Sequence, residues 1–495
     1  MTLTTLLIYV AIAALVLTLV NVYVLKSYKS MPMTYLQHFV GSLFVFSGWV
    51  KAVDPLGTAY KMTDYFAEFE ATFEPTWFGF VAPMFPFINQ YVVTFSVVMI
   101  VFEIFLGVML ILGHKTKFAA WSFLLLVAFF TFLTGFTFLT GYVPGDANFF
   151  SFASWSSYDP NNMKVTDCGC FGDFIKLEPR ISFLKDVFLL IPAILFVWKR
   201  DLMHQLFSRN IRNIALSVVA IGLVFYCFSN YHWDIPHEDF RPFKKQRNIA
   251  EQKRIEEEAQ ANIQIVSYTI ENKESGETIE LPYNEYLQRF QEFPSSDFNL
   301  TQNYTEPEIE ATKLSEFDIV DFDGYSINQD ILSNEEPILF VVAYKLYGSG
   351  AKATRILKDT IYTIDTIQTT DGQQVIQRNI EKIDERTEEY TDYIWKPGYA
   401  DRYEEVLIPF IEEARGDQVN TIMAIGGAGQ DQIEDFSSDL GLNVKFGTAD
   451  DILLKTIVRS NPGVLLIKNG VILDKWHYKK LPNYEEVKAQ YLTAN

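Results

Sequence analysis

The stretch YVVTFSVVMIVFEIFLGVMLILG, residues Tyr91–Gly113, is almost unbroken in its apolar character and carries one carboxylate, Glu103, near its middle. A hydrocarbon core about 30 Å thick is crossed by about 20 helical residues, so this run is long enough to span a bilayer. Working outward, Leu3–Leu25, Tyr35–Val53, Phe118–Tyr142, Ile181–Trp198 and Ile211–Phe228 read the same way. The first of these lacks the basic start and small-residue cleavage site of a signal peptide and is read as a true span. Six spans therefore fill the front of the chain.

At 495 residues the chain is too long for one core and divides into domains. Up to Asn230 it holds 14 Lys/Arg and 13 Asp/Glu of the chain's 41 and 61, which leaves the remainder with a net charge of −21. An acidic half of that kind repels nucleic acid and anionic headgroups, so nucleic acid is excluded as a partner. Basic residues follow the odd spans (Lys26, Lys29; Lys115, Lys117; Lys199, Arg200, Arg209, Arg212), whereas the other loops are acidic. The positive-inside rule then predicts a protein of the bacterial inner (cytoplasmic) membrane with both termini and the acidic half on the periplasmic side.

That topology puts the chain's three cysteines, Cys168, Cys170 and Cys227, at the oxidising face, where disulfides persist. Two of them lie in VTDCGCFGDF, Val165–Phe174. A Cys168–Cys170 bond is reachable at this spacing, and Gly169 supplies the unusual backbone angles that the small ring needs. Such a bond exchanges readily if strained and exposed. Against that role, Asp167 and Asp173 disfavour the attacking thiolate. The plainer reading is a crosslink, either within the pair or from one of them to Cys227. A metal is disfavoured because the cysteines and six histidines show no ligand spacing. Glu103, inside a span, is expected to be neutral or bonded to Thr131 or Thr134, as a proton site or as glue between helices. Lys51, Asp54, Lys185 and Asp186 are expected to be anchors at the span ends.

GSLFVFSGWVKAVDPLGTAYK (Gly41–Lys61), EIFLGVMLILGHKTKFAA (Glu103–Ala120), DCGCFGD (Asp167–Asp173) and SFLKD (Ser182–Asp186) together resemble the DoxX/MauE family of membrane helix bundles over Tyr35–Trp198. The resemblance implies a four-helix core with one extra span on each side. It also implies disulfide handling outside the membrane or thiol oxidation with a quinone. On that reading Cys168 and Cys170 carry the exchange, Glu103 is the nearest intramembrane proton site, and a quinone is the one candidate cofactor.

The remainder reads as a charged connector (230–262), a small β-rich segment (263–314) opening with a hairpin in Ile263–Leu281, and an α/β domain (315–495). In the last, PILFVVAY (Pro337–Tyr344) predicts a buried central strand, Lys352–Thr363 a helix, about Thr366–Tyr399 a polar insertion and Tyr403–Ala414 a helix. Thr421–Gly427 reads as a strand, Asp431–Leu440 as a helix, Ser460–Tyr478 as a hairpin turning at Asn469–Gly470, and Tyr484–Leu492 as a closing helix. The order and NPGVLLIKNG resemble thioredoxin-like proteins of the TlpA type, with Pro462 at that fold's cis-proline. Those proteins carry C-x-x-C after the central strand, where this chain has KLYGSGAK (Lys345–Lys352) and no later thiol. What the resemblance leaves is a groove at Asn461 and Pro462 that binds a partner. The expected fold is a membrane all-α bundle (residues 1–229) plus an extracytoplasmic α/β domain. The expected function is binding or assembly within a cell-envelope complex, with thiol–disulfide oxidoreduction at Cys168/Cys170 as the alternative.

Overall fold

A computed structural model describes residues 1–165, 169–368 and 374–492. The chain divides into two compact units, Met1–Lys244 and Lys245–Asn495.

The first unit runs through α1 (Leu3–Leu19), α2 (Met31–Val53), α3 (Pro55–Phe73), a short α4 (Met84–Asn89), α5 (Val92–Leu112), α6 (Thr116–Thr140), α7 (Pro179–Trp198) and α8 (Arg209–Phe228). Five segments are long and apolar enough to cross a membrane: Leu3–Leu25, Val92–Leu112, Thr116–Thr140, Pro179–Trp198 and Arg209–Trp233. The expected second span differs, because α2 passes that test only together with α3, from which it is bent by 94°. The break has a local cause. Pro55 has no amide hydrogen and starts the new helix, and Asp54 Oδ1 accepts from the Gly57 amide at 3.0 Å as its cap. Phe44, Leu106, Phe123 and Phe196 meet in a core drawn from α2, α5, α6 and α7. Glycines let α2 and α5 come close: a Cβ on Gly48 would stand 2.4 Å from Ile104 Cγ1, and one on Gly107 2.8 Å from the Gly41 carbonyl.

The second unit opens with α9 (Ile249–Ala261), whose first turn is capped by Asn248 Oδ1 accepting from the Glu251 amide at 3.0 Å. β1 (Ile265–Asn272), β2 (Thr278–Pro282) and β3 (Phe298–Tyr304) form an antiparallel sheet in the order β2-β1-β3, so the expected hairpin gains a third strand, and α10 (Tyr283–Arg289) lies between β2 and β3 in sequence. Then come α11 (Asn328–Leu332), β4 (Ile338–Ala343), β5 (Gly348–Gln368), β6 (Gln374–Trp395), α12 (Pro397–Arg402), α13 (Ile408–Gly416), β7 (Thr421–Gly426), α14 (Gln430–Leu440), β8 (Lys445–Ala449), α15 (Asp451–Ile457), β9 (Gly463–Lys468) and β10 (Val471–His477). The main sheet has the order β10-β9-β4-β7-β8, with β4, β7 and β8 parallel and β9 and β10 antiparallel to their neighbours. β4 is buried along its whole length, as its apolar run predicts. Asn469 and Gly470 both take left-handed φ, 50° and 74°, as a two-residue hairpin turn requires.

One element is of the other kind. Lys352–Thr363 is not a helix but part of β5, which pairs with β6 over its whole length. β-branched and aromatic residues recur there on one face (Ile356, Thr360, Tyr362, Ile364), broken by Lys358, and opposite charges meet across the strands, Arg355 with Glu388 at 2.6 Å and Lys358 with Glu385 at 3.0 Å. Period two and cross-strand pairing outweigh the helix propensity of the lysines, alanines and leucine.

Candidate functional site

Within the first unit, the close approach of α2 and α5 carries Lys51 to Glu103. The Lys51 ammonium donates to Glu103 Oε2 at 2.8 Å, with the two residues 8% and 3% exposed. Glu103 is one turn before Gly107, and Lys51 one turn after Gly48, so the residues that let the backbones approach share their faces with the charges. This corrects the expected partners of Glu103: Thr131 donates to its own helix at the Val127 carbonyl (2.7 Å), and Thr134 donates to Asp186 Oδ2 at 3.0 Å. It also corrects the reading of Lys51 as an anchor, since its ammonium faces inward and lies 5.1 Å from the Phe130 ring centre. Asp54 is the cap of α3, as described above.

A second pair stands beside the first. Lys185 donates to Asp186 Oδ1 and lies over the Phe171 ring at 5.9 Å. Three buried charges and a half-buried Lys185, of zero net sum, are costly to desolvate, several kcal/mol per ion, and only good geometry repays that cost. Such a cluster inside a bundle points to function more than to stability.

The turn bearing Cys170 closes over these pairs. Ser47 Oγ donates to the Cys170 carbonyl at 2.9 Å, which pins the turn to α2. Gly169 and Gly172 take left-handed φ of 61° and 51°, open to glycine at little cost. Cys168 and Asp167, on which the exchange reading also rests, lie outside the described residues. Cys170 is half-buried and its thiol is free. Burial pushes that thiol up, the Lys185 ammonium pulls it down, and the Asp186 carboxylate pushes it up again. Cys170 is therefore expected to alkylate slowly at pH 8, its rate still climbing with pH above the usual thiol range. Lys185→Met should slow it further, since the cation that favours the thiolate is gone. A pH profile of alkylation followed by mass spectrometry checks both, and a profile that levels off below pH 8 would contradict them.

Lys51, Lys61, Glu103, Cys170, Lys185 and Asp186 line one cavity of about 90 Å³. That volume takes a few waters or the tip of a side chain. Drug-sized ligands occupy pockets of about 300 Å³ and more, so these residues do not enclose a whole quinone. Cys227 sits elsewhere, a buried free thiol packed with Ala52, Val97, Ile100 and Ile104, and is not bridged to Cys170. Among the described residues no group of three or more His, Cys, Asp or Glu is placed to hold a metal.

In the second unit the Asn461–Pro462 bond is cis. The groove expected there is filled from within. Asn461 is buried, its side-chain nitrogen donates to the Lys345 carbonyl at 2.7 Å, and its own carbonyl accepts from Arg402. The Arg402 guanidinium lies over the rings of Tyr399 (5.3 Å) and Tyr478 (4.9 Å). Asn461 and Pro462 thus serve the packing of this end of the sheet rather than an open binding face.

The Lys51–Glu103 pair had a signal in the sequence that reading by single spans passes over: a lysine and a glutamate each within one turn of a glycine. Nothing local marked Ser47, and Thr134 stood out in the sequence for a different partner from the Asp186 it meets. Comparison with family models, curated proteins and solved structures returned no match.

Proposed function

We propose that the protein is a DoxX/MauE-like membrane component of the bacterial envelope that exchanges thiols with a partner protein at the Cys168/Cys170 turn. One juxtaposition supports this reading: Cys170 lines the same cavity as the Lys51–Glu103 and Lys185–Asp186 pairs. A partner thiolate attacks one sulfur of a Cys168–Cys170 disulfide, the S–S bond opens to a mixed disulfide, and the second partner thiolate displaces the remaining sulfur. Two electrons and two protons pass from the partner dithiol to Cys168 and Cys170, and the partner leaves with the new disulfide. The reverse exchange with a partner disulfide restores the pair. Lys185 favours the Cys170 thiolate at each turn. The basic loops after alternate spans support an extracytoplasmic placing of this face and of the second unit. The strand order of the second unit supports a thioredoxin-like domain that has given up its own dithiol.

Differential alkylation of the full-length protein over a glutathione redox series tests the reading. A Cys168–Cys170 bond that titrates reversibly above about −230 mV is expected. A bond resisting reduction below about −300 mV, as structural disulfides do, would overturn it.

A second reading, assembly without redox chemistry, rests on a different observation. Where a thioredoxin-like domain begins its dithiol helix, after β4, this chain sends out the β5–β6 ribbon. A Cys168→Ala/Cys170→Ala variant that keeps full function in cells would select that reading.

A further inference from the structure

The β5–β6 ribbon is a two-stranded sheet whose strands, among the described residues, pair only with each other. At about 3.3 Å per residue, 21 and 22 residues make it roughly 70 Å long. The register sorts its side chains. One face carries Ile356, Tyr362 and Ile364 of β5 with Ile376, Ile380 and Ile383 of β6, since Thr360 is opposite Ile383 and Tyr362 opposite Ile380 across a bulge. The other carries ion pairs, Arg355 with Glu388 and Asp359 with Arg386 at 3.0 Å. The isoleucines are not edge cases: Ile364, Ile376 and Ile380 are 63%, 67% and 62% exposed. An isolated two-stranded ribbon is marginal in water, and an exposed face this rich in isoleucine marks an interaction surface.

We infer that this face docks against the same face of a second copy of the chain. The charges fit that occupant. The half of the chain after Asn230 carries a net −21, which disfavours broad contact between copies, yet the charges set within the stripe are mixed: Lys358 with Glu385 between Ile356 and Thr360, and Arg378, opposite Ile364, between Ile380 and Ile376. Both sets lie three residues from Ile361. A two-fold axis through that level, with the ribbons antiparallel, therefore sets Arg378 of each copy against the Lys358–Glu385 pair of the other while the isoleucines interdigitate. The stripe spans about ten residues and two strands, a flat footprint of roughly 350 Å² per copy. Twice that falls below the about 1,200 Å² of stable interfaces, so the contact is weak in dilute detergent and gains from the high effective concentration of copies anchored in one membrane.

The test is photo-cross-linking of full-length protein in proteoliposomes, with a benzophenone amino acid in place of Tyr362 or, on the charged face, of Arg386. The Tyr362 probe is expected to give a product at twice the chain mass and the Arg386 probe none. Ile364→Lys/Ile380→Lys, both at exposed positions, should lower the yield about tenfold or more with the circular dichroism spectrum unchanged. No product at twice the chain mass, equal products from both faces, or a lipid adduct in place of the dimer would overturn the inference. The same probe in whole cells, if it gave only a product with a different protein, would also overturn it. The readout is mass, so its outcome is separate from that of the redox titration.

Discussion

Replacing Glu103 by leucine is expected to cost about 3–5 kcal/mol of stability, far more than the volume change alone would cost. The substitution leaves the Lys51 ammonium with no anion at 2.8 Å, in a place where Phe130 is its other close neighbour. Lys51→Met should cost a similar amount for the mirror reason. The double variant Lys51→Met/Glu103→Leu should recover most of the loss, because an apolar pair of similar size needs no compensation in the bundle. Thermal unfolding of all four proteins in one detergent measures the coupling. If the two single costs simply add, the pair is not buried in the way described, and the site loses its electrostatic basis.

The second large effect is expected at Gly48. A Cβ there would lie 2.4 Å from Ile104 Cγ1, too close for any side-chain atom, so Gly48→Ala must push α2 and α5 apart. Overpacking of this kind costs about 1–3 kcal/mol, and the shift also stretches the Lys51–Glu103 contact one turn away. Ile104→Ala removes the clashing atom and should restore part of what Gly48→Ala loses, although alone it opens a cavity worth about 2–5 kcal/mol. Recovery in the double variant is the expected sign. A Gly48→Ala protein as stable as the wild type, by the same thermal measurement, would show that the helices do not touch there.

What could be read in advance followed from local chemistry. The apolar runs marked five helices long enough to cross a membrane, the β4 run marked the central strand, and Asn469–Gly470 marked its hairpin, because length, burial and φ are properties of short segments. The charge cluster was not legible as a cluster. Lys51 and Glu103 are 52 residues apart and meet only because two helices pack through glycine, and each alone looks like an anchor or a stray carboxylate. Arg402 likewise reaches Asn461 from 59 residues away, so the filling of that groove had no local mark. The ribbon misled for a different reason. Its lysines, alanines and leucine suit a helix, and the partner that makes it a strand lies beyond Gln374.

The bend at Asp54 has one more consequence. Because the chain turns by 94°, α3 runs past the end of α2, and Thr58, Lys61, Met62 and Tyr65 help to wall the cavity around Lys51. Dissolved ions screen charges through the water between them, over about 8 Å at physiological ionic strength. The Arg355–Glu388 pair on the ribbon stands in that water and weakens as salt rises. Lys51 and Glu103, roofed by a helix that a proline diverted, are screened much less, and their attraction changes little between dilute medium and brine.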